Sequence, residues 1–452
     1  MNRISLTQMV FEPERWKKAI DKAELKNISH TKLRELCSPE TRIDLYLRIL
    51  DGKYEVSVFH IAEIPKDDGG VRKVWVAEDE DRVFLSIASD CLMELFQDLL
   101  ISDAVKSYLS GIGCQETVVK ASNEISKESK KLAENTEIIL KLDLRKYFDT
   151  VKIECIDFIF DLVEKMLGFE KGTEPTLNVL RKLYHRNLVF DENGELVELY
   201  GSLMQGCAIS GFLADVVLYD VDERMKEECK FYVRYSDDML ICDKDIEKAK
   251  RILEEELPKY GVSLHPKKCE KYSKNDIVTF LGFSIRGKMI SLSKNRTKKF
   301  TKEIRRLTIG NPNVTKKQAI KNVKRFMYGD GNGYSWATAC YSAMRNNEKD
   351  MEILNNYVMD CIRLCEVREQ IYKRREAEGL KVKPIIYGKA DIGGIGIVKD
   401  KPDRTMERGS GKKVKTGKER TAKEIENYKS MGCLLGCYKI GRPVYDAVVR
   451  GI

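Results

Sequence analysis

Phe231-Tyr-Val-Arg-Tyr-Ser-Asp-Asp-Met-Leu-Ile-Cys242 sets two adjacent carboxylates, Asp237 and Asp238, inside a run that is otherwise mostly apolar or aromatic. Before the acids the run alternates, with Phe231, Val233 and Tyr235 on one face and Tyr232 and Arg234 on the other; after them Met239 to Cys242 is a second short apolar run. The pattern predicts a β-hairpin with the acids at its turn. Paired carboxylates at a rigid tip repel each other unless a divalent cation sits between them. Hard oxygen ligands of this kind suit Mg²⁺, which keeps phosphate oxygens in its remaining positions. An isolated Asp-Asp turn is usually just solvated, so the rest of the chain decides.

Upstream, Ile138-Ile-Leu-Lys-Leu-Asp-Leu144 reads as an apolar strand ending at Asp143, before Arg-Lys-Tyr-Phe-Asp149. A carboxylate at the end of a buried strand is costly unless it is ionised against a partner, which makes Asp143 the natural third ligand. Residues 150 to 190 read as helical, followed by an Asp191-Glu-Asn-Gly194 turn. Gly201-Ser-Leu-Met-Gln-Gly-Cys-Ala-Ile-Ser-Gly211 is a glycine-bearing loop in which Gln205-Gly206 lets backbone approach a base or sugar. Ser210 is suited to cap the next helix, whose Ala214, Leu218, Val221 and Met225 make one core stripe. Nearer the start, Val56 to Ile64 and Arg72 to Val76 read as two strands around Pro65-Lys66-Asp-Asp-Gly-Gly70, so Lys66 and Arg72 flank one hairpin. Two such cations are either a solvated edge or a clamp for a triphosphate. The periodic run Asp81 to Leu100, with Val83, Ile87, Cys91 and Leu95, reads as a core helix.

Downstream, a charged helix spans Ile246 to Tyr260, and Thr279 to Ile285 reads as one strand with a glycine bend. Lys294 to Arg325 then carries twelve Lys/Arg against the single acid Glu303, a helical face able to track a phosphate backbone. Phe326, Tyr328, Tyr334 and Trp336 read as packing rather than as platforms for bases. A Gly/Lys-rich stretch, Lys399 to Arg420, reads as a mobile linker.

Across all 452 residues, 42% are hydrophobic, enough for several domains with a large core. Eighty basic against 71 acidic residues leave a mild net charge of +9. With no long apolar run and no signal-peptide pattern at Met1-Asn-Arg-Ile-Ser-Leu, a soluble, cytoplasmic protein without a membrane is expected. Thirteen scattered cysteines fit a reducing compartment, and the i, i+4 pairs Cys361/Cys365 and Cys433/Cys437 lack zinc spacing.

Taken in order, Pro65-Lys66 with Arg72, Asp143-x4-Phe148-Asp149, Gln205-Gly206-x3-Ser210, Tyr235-Ser-Asp-Asp238, Lys268 and Phe280-Leu-Gly-Phe283 resemble the blocks of a reverse transcriptase. Arg234-Tyr-Ser-Asp-Asp and the Asp-Arg at 81 and 82 resemble, more narrowly, the bacterial group II intron-like branch. The resemblance implies an α/β (α+β) right-hand polymerase with fingers, a ferredoxin-like palm and a helical thumb. It divides the chain into an N-terminal helical extension (1–60), fingers (61–135), palm (136–290, with a fingers insertion at about 155–200), thumb (291–378) and a basic C-terminal extension (379–452). It further implies that Asp143, Asp237 and Asp238 bind two Mg²⁺ ions per active site for in-line phosphoryl transfer. By the same resemblance Lys66 and Arg72 hold the incoming triphosphate, Phe148 excludes a 2′-hydroxyl, Gln205 packs near the templating pair, Lys268 protonates pyrophosphate, and Phe280 to Phe283 grips the primer.

Met204 before Gln-Gly and Gly211 after Ser stand where the family often has Pro, and Ser236 where Ala is commoner. Together with only four dispersed histidines, His30, His60, His185 and His265, this points away from an intron enzyme carrying a Cys/His-rich endonuclease. The expectation is a stand-alone enzyme that copies an associated RNA, a dedicated non-coding one, into DNA from deoxynucleoside triphosphates in antiviral defence. Diversity generation, group II intron retrohoming, untemplated DNA synthesis and a maturase-like RNA scaffold remain open, as do protein partners and oligomeric state.

Overall fold

The apolar run from Ile138 to Leu142 forms an inner strand of a sheet in the computed structural model, which describes residues 5–22, 25, 27–65, 70–109, 112–129, 136–329, 335–344, 346–385 and 387. The chain divides into two units: Met1–Gly113 with Glu128–Lys274, and Cys114–Lys127 with the described part of Asn275–Ile452. Among the described residues the first unit contains strands β1 (Phe59–Pro65), β2 (Val71–Val76), β3 (Glu137–Asp143), β4 (Leu188–Phe190), β5 (Leu196–Glu198), β6 (Phe231–Tyr235), β7 (Asp238–Cys242) and β8 (Glu270–Ser273). One antiparallel sheet has the order β6-β7-β3-β8. Helices Tyr219–Glu228 and Ile246–Glu256 pack on it through Val221 and Met225 and through Ala249, Ile252 and Leu253. That cover buries the Tyr232 and Arg234 face of β6, and Phe231 and Val233 on the opposite face are buried as well.

The other sheet of this unit has the order β2-β1-β4-β5, with β1 parallel to β4 and the remaining pairs antiparallel. The predicted core helix runs Asp79–Leu100 and buries Val83, Ile87 and Cys91. Leu188 to Phe190, expected to be helical, is instead β4: the helix ends at His185, and Val189 pairs with Phe59 of β1. A partner strand offered from far along the chain overrides the local period. The helix expected after Ser210 breaks at Val217–Leu218 into Ser210–Val216 and Tyr219–Glu228, yet Ala214, Leu218, Val221 and Met225 are all buried as the stripe requires. Ser210 does not cap it. Its hydroxyl lies 2.5 and 2.7 Å from the Leu203 and Met204 carbonyl oxygens and shares its one proton between them, tying down the preceding loop.

The second unit carries a three-stranded meander of β9 (Val278–Phe280), β10 (Phe283–Arg286) and β11 (Met289–Leu292). The single strand expected at Thr279 to Ile285 is therefore two. Leu281 and Gly282 both have positive φ, at +47° and +79°, the signs of a tight two-residue hairpin turn. Helices Lys294–Leu307, Lys316–Tyr328 and Glu348–Ala377 belong to the same unit. Lys294, Lys298 and Lys302 repeat every fourth residue on an exposed face, with Phe300 and Ile304 buried opposite. Trp336 stacks on Phe300 at 4.3 Å beside Phe326, as the packing reading expects; Tyr334 lies outside the described residues. Among the described residues no helix is long and apolar enough to cross a membrane.

Candidate active site

β3 and β7 run antiparallel in a register that pairs Asp143 with Asp238, and Tyr235 pairs with Asp238 across the hairpin. Directly opposed residues point to the same face of a sheet, so these two carboxylates are neighbours. Ser236 and Asp237 form the two-residue turn, and the Asp237 carbonyl accepts the Leu144 N–H at 2.9 Å, which ties the turn to the end of β3. Ser236 has φ +57°, while Asp237 is not left-handed, the sign pattern of a II′ turn. Burial and then the charge of Asp143 raise the Asp237 carboxyl above its ordinary range. Burial, with Asp237 and Asp143 behind it, pushes Asp238 up to about 6. Asp143 thus opposes the ionisation of both turn acids, and Asp237 that of Asp238.

Lys268 answers that charge. Its ammonium bonds Asp143 at 2.7 Å, and this hydrogen bond raises the lysine above its usual range. The loop before it is zipped onto β3: the His265 N–H donates to the Asp143 carbonyl at 2.8 Å, and the Arg145 N–H donates to the Ser263 carbonyl at 2.8 Å. The Lys268 side chain is 56% exposed, so it can leave Asp143 without disrupting packing. Arg72 on β2 acts on Asp237 in the opposite sense to Asp143, favouring its ionised form. Lys66, expected beside it, lies outside the described residues. Hard oxygen donors with raised pKa values suit a magnesium-type cation. Among the described residues no three metal-ligating side chains close around one point, and Asp143 is paired with Lys268.

Phe148 and Gln205 line a single open cavity of about 500 Å³ together with Tyr108, Ser210 and Gly211. Phe148 is placed by its neighbour: Tyr147 is buried, its hydroxyl donating to the Ala214 carbonyl at 2.6 Å. The Phe148 carbonyl accepts the Leu203 N–H at 3.1 Å, which fixes the glycine-bearing loop beside the ring. On its other side the loop is stitched to β2, the Trp75 N–H donating to the Gln205 carbonyl at 2.8 Å. Gly206 has φ +109°, and a Cβ there would stand 2.4 Å from Val74 Cγ1 and 2.8 Å from the Trp75 carbonyl oxygen. Gly206→Ala is expected to cost roughly 2–3 kcal/mol in a denaturant midpoint. Gly52→Ala, also left-handed at φ +66° but with nothing within 4 Å, is expected to cost about 1 kcal/mol.

The three departures from the family pattern have local causes. Met204 has φ +53°, which proline cannot adopt. A Cβ on Gly211 would meet the Tyr108 ring at 3.0 Å, and the Ser236 hydroxyl pairs with the Tyr108 hydroxyl at 3.1 Å. Two of the departures thus accommodate one aromatic side chain.

Beneath the turn lies a charged network that sequence reasoning missed. Arg234 is fully buried and grips Asp222 through Nε (2.8 and 3.1 Å) and Nη2 (2.6 Å). It also donates to the carbonyls of Ala214 (3.0 Å), Asp215 (2.9 Å) and Ser236 (3.2 Å). The Tyr232 hydroxyl completes Asp222 at 2.7 Å. An arginine inside an apolar strand was the available signal, since such a charge demands a buried counter-ion.

Residues 64–285 match the family model described as reverse transcriptase (RNA-dependent DNA polymerase). The putative COX1/OXI3 intron 1 protein of Saccharomyces cerevisiae is 23% identical over 181 residues, 40% of this chain and 20% of that protein. The chain therefore spans about a fifth of the length of this curated relative. Among solved structures, apo telomerase from Candida tropicalis aligns with a TM-score of 0.43 at 12% identity, over 72% of this chain and 59% of that one. Telomerase from Candida albicans with the TWJ fragment of telomeric RNA aligns at 0.40 and 13%, over 73% and 63%.

Proposed function

From a reverse transcriptase domain at residues 64–285, we propose that the chain is an RNA-directed DNA polymerase. The observation that carries the reading is the pairing of Asp143 with Asp238 beside Asp237 at the turn, where burial and the neighbouring acids raise the carboxyls of Asp237 and Asp238. Asp143, Asp237 and Asp238 would hold Mg²⁺, which when bound supplies Lewis-acid stabilisation to the attacking and leaving oxygens. Lys268 stands within 2.7 Å of Asp143 and holds a proton for the departing pyrophosphate. Arg72 offers a fork to the triphosphate, a task shared with Lys66, and Gln205 shapes the floor beneath the templating pair. We divide the described chain into fingers, palm and thumb as the motif order implies.

Phe148 discriminates between sugars by bulk. Phe148→Ala is expected to lower the preference for deoxy- over ribonucleotides by about 10²-fold in kcat/KM. An unchanged ratio removes the gate role.

The test is expression from the native locus of the parent and of Asp237→Ala/Asp238→Ala, followed by sequencing of copurifying RNA and DNA. A defined DNA complementary to one bound RNA, absent from the variant, supports the polymerase and identifies its template. Genomic targets of that DNA then separate defence from diversity generation and intron mobility. RNA without DNA points to a scaffold, and DNA without a matching RNA to untemplated synthesis.

A further inference from the structure

Ser236 is left-handed at φ +57°, a conformation that a residue with a Cβ holds only when its surroundings over-determine it. Both of its backbone groups are held. Its carbonyl accepts from Arg234 Nη1 at 3.2 Å, and its N–H donates to Ser107 Oγ at 2.9 Å. A serine hydroxyl has one proton to give, and Ser107 gives it to Asp215 Oδ1 at 2.5 Å. The carboxylate thereby fixes the polarity of the hydroxyl, leaving a lone pair facing the turn.

The segment that presents Ser107 is itself fastened beside β6. The Lys106 N–H donates to the Arg234 carbonyl and the Arg234 N–H to the Ala104 carbonyl, both at 3.0 Å. Tyr108, the next residue, reaches the Ser236 hydroxyl at 3.1 Å. Asp215 is 0% exposed, and its Oδ2 has no hydrogen-bond partner. Burial raises its carboxyl to about 7, against the pull of Arg234 and the Ser107 hydroxyl. A half-satisfied buried carboxylate is a poor way to stabilise a fold. Its one side-chain contact leads to the turn that carries Asp237.

We propose that Asp215 is a positioning residue: through Ser107 it holds Ser236 left-handed, and so keeps Asp237 and Asp238 beside Asp143. This rests on the polymerase reading above. Asp215 touches neither substrate nor the three acids, and its side-chain hydrogen bond runs to the Ser107 hydroxyl.

The experiment is a double-mutant cycle on the full chain with Asp215→Asn, Ser107→Ala and both together. It measures kcat and KM for a single deoxynucleotide addition, duplex affinity and the melting midpoint. Each single variant is expected to lose about tenfold in kcat, with KM and duplex affinity unchanged. The pair is expected to lose the same factor, because one path is cut twice. Losses that multiply to about a hundredfold, or full kcat in Asp215→Asn, overturn the proposal. Asp215→Asn preserves size, and Ser107→Ala, which removes one oxygen, tests the same contact should the first variant fold poorly. Incorporation that requires Asp237 and Asp238 but ignores Asp215 removes the positioning role and leaves the polymerase standing. No incorporation by the parent chain removes both.

Discussion

Asp237→Ala/Asp238→Ala is expected to reduce nucleotide incorporation by at least about 10³-fold, the scale of removing even one preorganised electrostatic contact in a transition state. Binding of a primer–template duplex is expected to be unchanged. Retained synthesis would overturn the metal-ligand assignment. A second effect has the opposite sign. The Asp238 carboxyl is raised to about 6 in the folded chain, by burial first and then by Asp237 and Asp143, against about 4 when unfolded. The fold therefore disfavours the ionised acid. That penalty is absent below the unfolded value and fully present above about 6, so the metal-free protein loses stability as pH rises through this window. Asp237→Asn/Asp238→Asn is accordingly expected to be inactive but more stable by roughly 1–2 kcal/mol at pH 7.5, read as a higher melting midpoint. A lower midpoint would mean that the acids are stabilised by neighbours rather than strained by one another.

Asp222→Ala is expected to cost about 3–5 kcal/mol, much of a typical domain's margin, because it strands a guanidinium in the core. Arg234 has no solvent exposure, and its Asp222 contacts at 2.6–3.1 Å balance a charge that water cannot reach. Replacing both partners by apolar residues of similar volume is expected to cost less than Asp222→Ala alone. Chemical denaturation of the three proteins checks the order. Equal losses would mean that the pair's geometry, not its charge balance, holds the sheet together. Activity should fall in every case, since Arg234 also holds the Ser236 carbonyl.

The elements that carry the acids were legible because each is written locally. An apolar run ending in Asp143 and an alternating run interrupted by Asp237 and Asp238 each state a strand and its end. The β1–β2 hairpin and the core helix after it were legible for the same reason. What could not be read was register. Nothing near Asp143 specifies Asp238 as the residue opposite, because pairing depends on the whole sheet closing. Turn conformation was equally hidden: Ser236 and Leu281 adopt positive φ without glycine, held by contacts from distant segments or a tight hairpin. Ser107, Tyr108 and Asp215 carry no local motif that marks them in the sequence. Their meaning arises from contacts 128 and 108 residues away along the chain.

The sheet order β6-β7-β3-β8 also governs how the protein is made. β3 is one of two inner strands, yet both of its neighbours lie far downstream, one about a hundred residues later and the other further still. At about 5–20 residues per second, a ribosome extends the chain for roughly 5–20 seconds before β7 is available to pair. Throughout that interval Ile138 to Leu142 is an apolar strand with two open edges, the kind of segment that seeks partners in other chains. Sequence-distant pairing also slows closure once the partners exist. The feature that brings Asp143 opposite Asp238 therefore leaves the nascent chain exposed to aggregation and dependent on whatever shields it during synthesis.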